Sequence, residues 1–125
     1  MTIDSAFASA REQRQGNFDD RVLRDMLSEL DGRIYYEIIE PYGIEGEFSG
    51  YTDTTPGDTE LLAPFPYDSL YTAYLVMGID QRNHELAKYN NSSIRFNTLY
   101  NDFKKWWART HSVATPSITF RTRRL

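Results

Sequence analysis

PYDSLYTAYLVMGIDQRNHELAKYNNSSIRFNTLYNDFKKWWARTH, residues 66–111, decides the fold class. Pro66 suits the first turn of a helix, where its missing N–H would have no partner in any case. Tyr71, Leu75, Gly78, Arg82, Glu85 or Leu86, Tyr89, Ser93, Phe96, Tyr100, Phe103, Trp107 and Thr110 then recur at spacings of three and four, with Leu70, Tyr74, Ile79, Leu99 and Trp106 beside them. That is the period of one helical face. The tetrad Asn90-Asn91-Ser92-Ser93 holds residues whose side chains compete for backbone hydrogen bonds and favour caps and turns. The unbroken apolar phase argues for one long helix and the tetrad for two; the expectation is a break at the tetrad. Gly78 costs about 1 kcal/mol against Ala inside a helix, so close approach of another backbone is the expected reason for it.

Upstream, Val22, Leu23, Met26, Leu27, Leu30, Ile34 and Ile38 repeat at the same spacings, with Asn17 as cap, Asp19 and Asp20 at the positive end of the dipole, and Pro41 as the stop. This predicts a helix of about six turns. Residues 1–16 are small and polar, with Phe7 the one large ring after Ile3, and are expected to be a mobile arm or a short frayed helix that builds no core. Residues 41–65 carry Gly43, Gly46, Gly50, Gly57, Pro41, Pro56 and Pro64, the composition of a loop-rich excursion with room for a short hairpin. After His111, Ile118-Thr119-Phe120-Arg121-Thr122-Arg123 alternates with strand period. Residues 112–125 are therefore expected to be an extended tail able to pair with a neighbour's edge, or else a disordered basic terminus. The expectation is a mainly α domain over 17–111, of about three helices, between an arm and a tail.

A chain of 125 residues is long enough for one core without staples. The absence of Cys removes disulfides, thiolate nucleophiles and Cys-based metal sites. No run approaches the ~18 apolar residues of a membrane span, and the first residues lack the layout of a signal peptide, so a soluble, intracellular chain is expected. The net charge of −4 conceals a strong asymmetry. Residues 17–66 hold twelve acids against Arg21, Arg24 and Arg33. Residues 67–111 are mildly basic, and Arg121, Arg123 and Arg124 make the tail more so. Acidic and basic halves attract a second copy head to tail, or simply form two solvated faces of one monomer.

Catalytic chemistry finds little support. Asp80 and His84 lie four apart, which would bring two ligands to one helix face, but no third ligand accompanies them and no metal is expected. His111 with Asp102 or Ser112 forms no nucleophile arrangement, and the glycines at 43, 46, 50 and 57 open no helix that would cradle phosphate. No cofactor is expected. Nine of the eighteen aromatics sit in residues 67–111, more large rings than two helices are expected to bury, and Tyr and Trp are enriched at association surfaces. Lys104, Lys105 and Arg109 interleave with Trp106 and Trp107, which also describes a stacking platform for single-stranded nucleic acid.

The runs Glu60-Leu61-Leu62-Ala63-Pro64, Pro66-Tyr67-Asp68-Ser69-Leu70-Tyr71, Tyr74-Leu75, Ile79-Asp80, Asn83, Glu85, Tyr89-Asn90-Asn91-Ser92, Phe96-Asn97, Tyr100, Phe103 and Arg109-Thr110-His111 are joined upstream by Leu30-Asp31-Gly32-Arg33-Ile34-Tyr35 and Glu37-Ile38-Ile39. Together they resemble the small head-to-tail connector (adaptor) proteins of tailed bacteriophages and prophages, over about residues 18–111. The resemblance implies a mainly helical virion protein, made in the host bacterial cytoplasm, that assembles with copies of itself into a ring, expected to be dodecameric. The ring would lie under the portal protein at the head–tail junction, meet neighbouring tail or stopper proteins, and pass DNA without sequence-specific binding. It carries no catalytic content and assigns no channel-lining residue. The expected contacts with copies and partners are Tyr67, Tyr71, Tyr74, Trp106 and Trp107, with Ile118 and Phe120 in the tail. An acidic balance suits a channel through which DNA slides, because tight phosphate binding would hold it back. Two other classes stay open: a small adaptor or regulator of another protein, and a nucleic-acid-binding domain using Lys104 to Arg109 and Arg121 to Arg124.

Overall fold

The computed structural model describes residues 1–16, 18–43 and 46–111. Four helices build the domain: α1 (Ile3–Gln13), α2 (Asp20–Ile34), α3 (Ser69–Arg82) and α4 (Leu86–His111). The expected mainly α class holds, with one helix more than the sequence pattern indicated. Among the described residues no strand forms. No described helix is long and apolar enough to cross a membrane.

The core is organised around α3. Leu70 to Val76 and Gly78 to Asp80 are all buried, so this helix is covered nearly all round, as expected when apolar residues leave no polar stripe. α4, α1 and α2 all pack on it. Each of those three has a single buried stripe: Phe96, Tyr100, Phe103 and Trp107 on α4, Leu23, Leu27, Leu30 and Ile34 on α2, and Ile3, Ala6, Phe7 and Ala10 on α1. Their remaining faces turn away from α3 to solvent.

Residues 1–16 are thus no mobile arm. Ile3, Ala6, Phe7 and Ala10 fall at i, i+3, i+4 and i+7, a complete helical stripe, and the two alanines let α1 sit close against its neighbours. Thr2 caps the helix by accepting from Ser5 N–H at 3.1 Å. Backbone bonds also tie its start to the loop: Ile3 N–H to Thr59 at 3.1 Å, Asp4 N–H to Gly57 at 2.9 Å, and Leu61 N–H to the Met1 carbonyl at 2.9 Å.

α2 starts at a different cap from the expected one. The Asp19 carboxylate accepts from Val22 N–H at 3.2 Å, while Asn17 lies outside the described residues. The helix passes into a π-helical turn, Tyr35–Ile39, and a 3₁₀ turn, Glu40–Tyr42, that contains Pro41. The extra residue in the π turn lets Tyr35, Ile38 and Ile39 all face inward. Gly43 ends the run at φ 86°, a left-handed conformation that glycine adopts without a Cβ clash.

Residues 46–68 form turns, not a hairpin. Side chains take the amides a hairpin would pair: Ser28 accepts from Tyr51 N–H at 2.9 Å and Thr55 from Thr52 N–H at 2.8 Å. The sole bridge here joins Thr2 to Glu60. Pro66 stands three residues ahead of α3 and is not in its first turn.

The chain breaks at residues 83–85, not at the Asn-Ser tetrad. His84 takes φ 58° between α3 and α4, and α4 runs unbroken from Leu86 to His111. Ser92 is the reason the tetrad stays helical. Its hydroxyl reaches the buried Asp80 carboxylate of α3 as well as the Lys88 carbonyl at 2.6 Å, so a tertiary partner offsets its competition for the carbonyl one turn back. The close approach at Gly78 is also real but comes from a side chain. A Cβ there would fall on the terminal methyl of Met26 from α2.

Candidate functional site

Four tyrosines point their hydroxyls at carboxylates of α2 and the turn after it. Tyr71 of α3 donates to Asp31 at 2.5 Å, Tyr74 of α3 to Glu29 at 2.5 Å, and Tyr100 of α4 to Glu37 at 2.9 Å. Tyr51 of the loop also donates to Asp31. Asp31 is fully buried and takes a third bond from Leu62 N–H at 3.2 Å. Burial pushes its carboxyl up from the usual range, although the three donors oppose that shift. Burial, together with the facing carboxylates, likewise raises the hydroxyls of Tyr51, Tyr71 and Tyr74, and takes Tyr100 to about 12. Arg33 closes this set, stacked 4.9 Å over the Tyr100 ring and 3.7 Å from the Glu37 carboxylate.

A second buried carboxylate, Asp80, joins three helices. Arg14, just past α1, donates to it at 2.7 Å, and Ser92 of α4 donates from the other side. Asp80 and His84 therefore do not present a ligand pair on one helix face: the first is consumed by Arg14 and Ser92, and the second stands beyond the end of α3. Both border a cleft of about 330 Å³ at the α3–α4 corner, with Gln81, Glu85, Leu86 and Tyr89. Among the described residues no group of three or more His, Asp or Glu is placed to hold a metal ion.

The aromatic-rich half fits inside the domain far better than its ring count indicated. Of the expected contact residues, Tyr71, Tyr74 and Trp107 are buried, at 0%, 8% and 9% exposure. Tyr67 and Trp106 are half-buried and stack on each other with centroids 5.0 Å apart. The rings cover one another in columns: Tyr74 on Phe96 at 5.0 Å and Phe96 on Tyr100 at 5.6 Å, then Tyr67 on Phe103 at 5.9 Å and Trp107 on His111 at 3.7 Å. Tyr71, Tyr74 and Trp107 thus offer no ring as an anchor, and Tyr67 and Trp106 expose only part of theirs. With Trp107 held under His111 and Trp106 against Tyr67, Lys104, Lys105 and Arg109 are also left without a base-stacking platform. Ile118 and Phe120 lie outside the described residues.

The large apolar side chains that do face solvent among the described residues are Tyr36, Phe65, Leu86 and Ile94, at 47%, 82%, 71% and 66% exposure. One signal for Ile94 was in the sequence, since the buried phase of α4 runs through 92, 96, 100, 103 and 107 and leaves 94 on the far side. Around Ile94 the outer face of α4 exposes Asn90, Asn91, Asn97, Thr98 and Asn101, and toward the helix end Lys104, Lys105 and Arg109. Tyr36 sits on the acidic side, among exposed Glu37, Glu40 and Glu47. Burial raises the Tyr35 hydroxyl, and the nearby Glu40 and Glu47 add to that.

No protein-family model, no curated protein and no solved structure matches the chain. The geometry thus carries the functional argument. It supplies polar clamps that fix the fold, and two solvent-facing surfaces of opposite net charge, one carrying the exposed Tyr36 and the other the exposed Ile94.

Proposed function

We propose that this chain is a non-enzymatic structural protein of a tailed-phage virion, a connector whose copies form a ring beneath the portal protein and continue the DNA channel toward the tail. The observation that carries this is the opposite charge of the outer faces of α2 and α4. Asp19, Asp20, Asp25, Glu29, Glu37, Glu40 and Glu47 outnumber Arg21 and Arg33 among the exposed charges of α2 and its flanks, whereas on α4 Lys88, Arg95, Lys104, Lys105 and Arg109 outnumber Asp102. Such a subunit meets its like face to opposite face, and a heterologous contact of that kind closes into a ring when its rotation divides the circle. The resemblance of residues 18–111 to phage connectors agrees with this, and the buried ties from Asp31 and Asp80 supply a body stiff enough to hold the contact at a fixed angle.

The test is the mass of the purified protein by light scattering over a concentration series, with and without the portal protein of the same phage, followed by electron microscopy of any large species. Closed rings, alone or only on the portal, are the expected outcome. A species that stays monomeric or dimeric and never joins the portal overturns the proposal and favours the adaptor class.

A further inference from the structure

On the connector reading, we infer which surfaces meet: the Ile94 face of α4 in one copy docks on the Tyr36 corner of a second copy of this chain. Three observations converge on that pairing.

The middle of the α4 outer face has the make-up of an interface centre. Ile94, 66% exposed, is surrounded by side chains that carry hydrogen-bonding groups but no charge, chiefly Asn90, Asn97 and Asn101. Covering this patch desolvates no ion, which is the commonest penalty of burying a protein surface, and depletion of charge marks the centre of stable contacts. Beyond it, Lys104 and Lys105, which outweigh the neighbouring exposed Asp102, stand to one side of the patch, about 15 Å along the helix from Ile94, where they would form a polar rim of net positive charge.

The charge of that rim selects the partner surface. Two copies meeting α4 to α4 would bring basic rims together, with Arg95 adding to the repulsion. The Tyr36 corner presents the opposite sign through Glu40 and Glu47, and Tyr36 supplies an apolar ring with a polar tip opposite Ile94. Opposite potentials speed encounter and fix register more than they add affinity, which is what an assembly that must close at one angle requires.

The experiment exploits a chain with no cysteine of its own. Ile94→Cys and Glu40→Cys are introduced together, the mass of the assembly is checked by light scattering, and a short bis-maleimide is added. The expected product is a ladder of covalent multimers on a denaturing gel that ends at the ring size, with Ile94→Cys alone remaining at monomer mass. In parallel, Lys104→Glu with Lys105→Glu is expected to dissociate the ring, and adding Glu40→Lys with Glu47→Lys to the same chain to restore it, each variant keeping wild-type helical circular dichroism. Ile94→Arg is expected to raise the concentration of half-assembly about 30-fold, the effect of losing an interface anchor. Covalent dimers from Ile94→Cys alone would show α4 against α4 and overturn the pairing. So would rings that form normally with no ladder and no response to the charge reversals, and in that case the connector reading would stand. A wild-type chain that forms no ring, alone or with the portal, removes both.

Discussion

Replacing Tyr71 by Phe deletes one oxygen from the centre of the domain, and the structure says what that oxygen does. It donates to the Asp31 carboxylate at 2.5 Å and accepts from Ala63 N–H at 2.7 Å. Both ends are sealed from water: Asp31, Ala63 and Tyr71 are each 0% exposed. A hydrogen bond to a buried charge contributes about 1.5–3 kcal/mol, and a buried amide left without an acceptor costs about 1–3 kcal/mol. Tyr71→Phe is therefore expected to cost about 4 kcal/mol, a large part of the 5–15 kcal/mol that holds an average domain together. With a urea dependence of about 2 kcal/mol per molar for a chain of this size, the unfolding midpoint falls by about 2 M. Tyr51→Phe is the internal control. Its hydroxyl touches the same carboxylate, but Tyr51 is half-buried, accepts from no backbone amide, and leaves Asp31 with two donors. It should cost about 1.5 kcal/mol. Equal losses in the two variants, or a loss below about 1 kcal/mol for Tyr71→Phe, would refute the assignment of Asp31 as the tie between the loop, α2 and α3.

Asp31 also sets a slope of stability with pH. Its native carboxyl holds a proton to higher pH than the unfolded one at 3.8, so above that value the folded state binds more protons and this group's contribution to stability falls as pH rises. Asp31→Asn, compared with wild type by urea midpoints from pH 4 to 6, should lose that part of the slope. At the alkaline end Tyr100 keeps its proton to about 12 against 10.0 unfolded. Stability should drop between those values as the unfolded chain ionises first, and Tyr100→Phe should soften the drop in a pH series followed by circular dichroism. Phe7→Ala removes a ring that is 3% exposed and should cost about 3–5 kcal/mol; a change within 0.5 kcal/mol, the usual range at a surface site, would return α1 to the status of a loose arm.

The helical period exposed most of this fold, because the stripes of α2, α3 and α4 are built from large side chains. It failed at α1 for a reason of size. Two of four core positions there are Ala, and a stripe of small residues carries little hydrophobic signal although it permits the closest packing. It failed at the α3–α4 corner for a reason of context. Ser92 counts against a helix only while its hydroxyl lacks an external partner, and the partner, Asp80, is twelve residues away and on another helix. The left-handed turn at His84 carries no compositional mark, since neither glycine nor proline stands there.

Tyr71, Tyr74 and Trp107 are buried where the sequence points to contacts with partners, for a related reason. Acid-rich residues 17–66 and aromatic-rich residues 67–111 look, in sequence, like two surfaces in search of partners. Much of that complementarity is spent inside the molecule, where Tyr71, Tyr74 and Tyr100 meet Asp31, Glu29 and Glu37. Tyr71, which donates inward to the buried Asp31, serves the fold, because moving it to an interface would strand that carboxylate. What remains for association is the charge left over on the surface: an excess of acids on α2 and its flanks, an excess of cations on α4, and the few apolar side chains that fall out of phase with the core. That remainder is smaller than the sequence implied and more sharply divided by sign. On the proposed pairing, the contact moves from the stacked rings of residues 67–107 to Ile94 and Tyr36, two side chains whose hydrophobicity alone would never have singled them out.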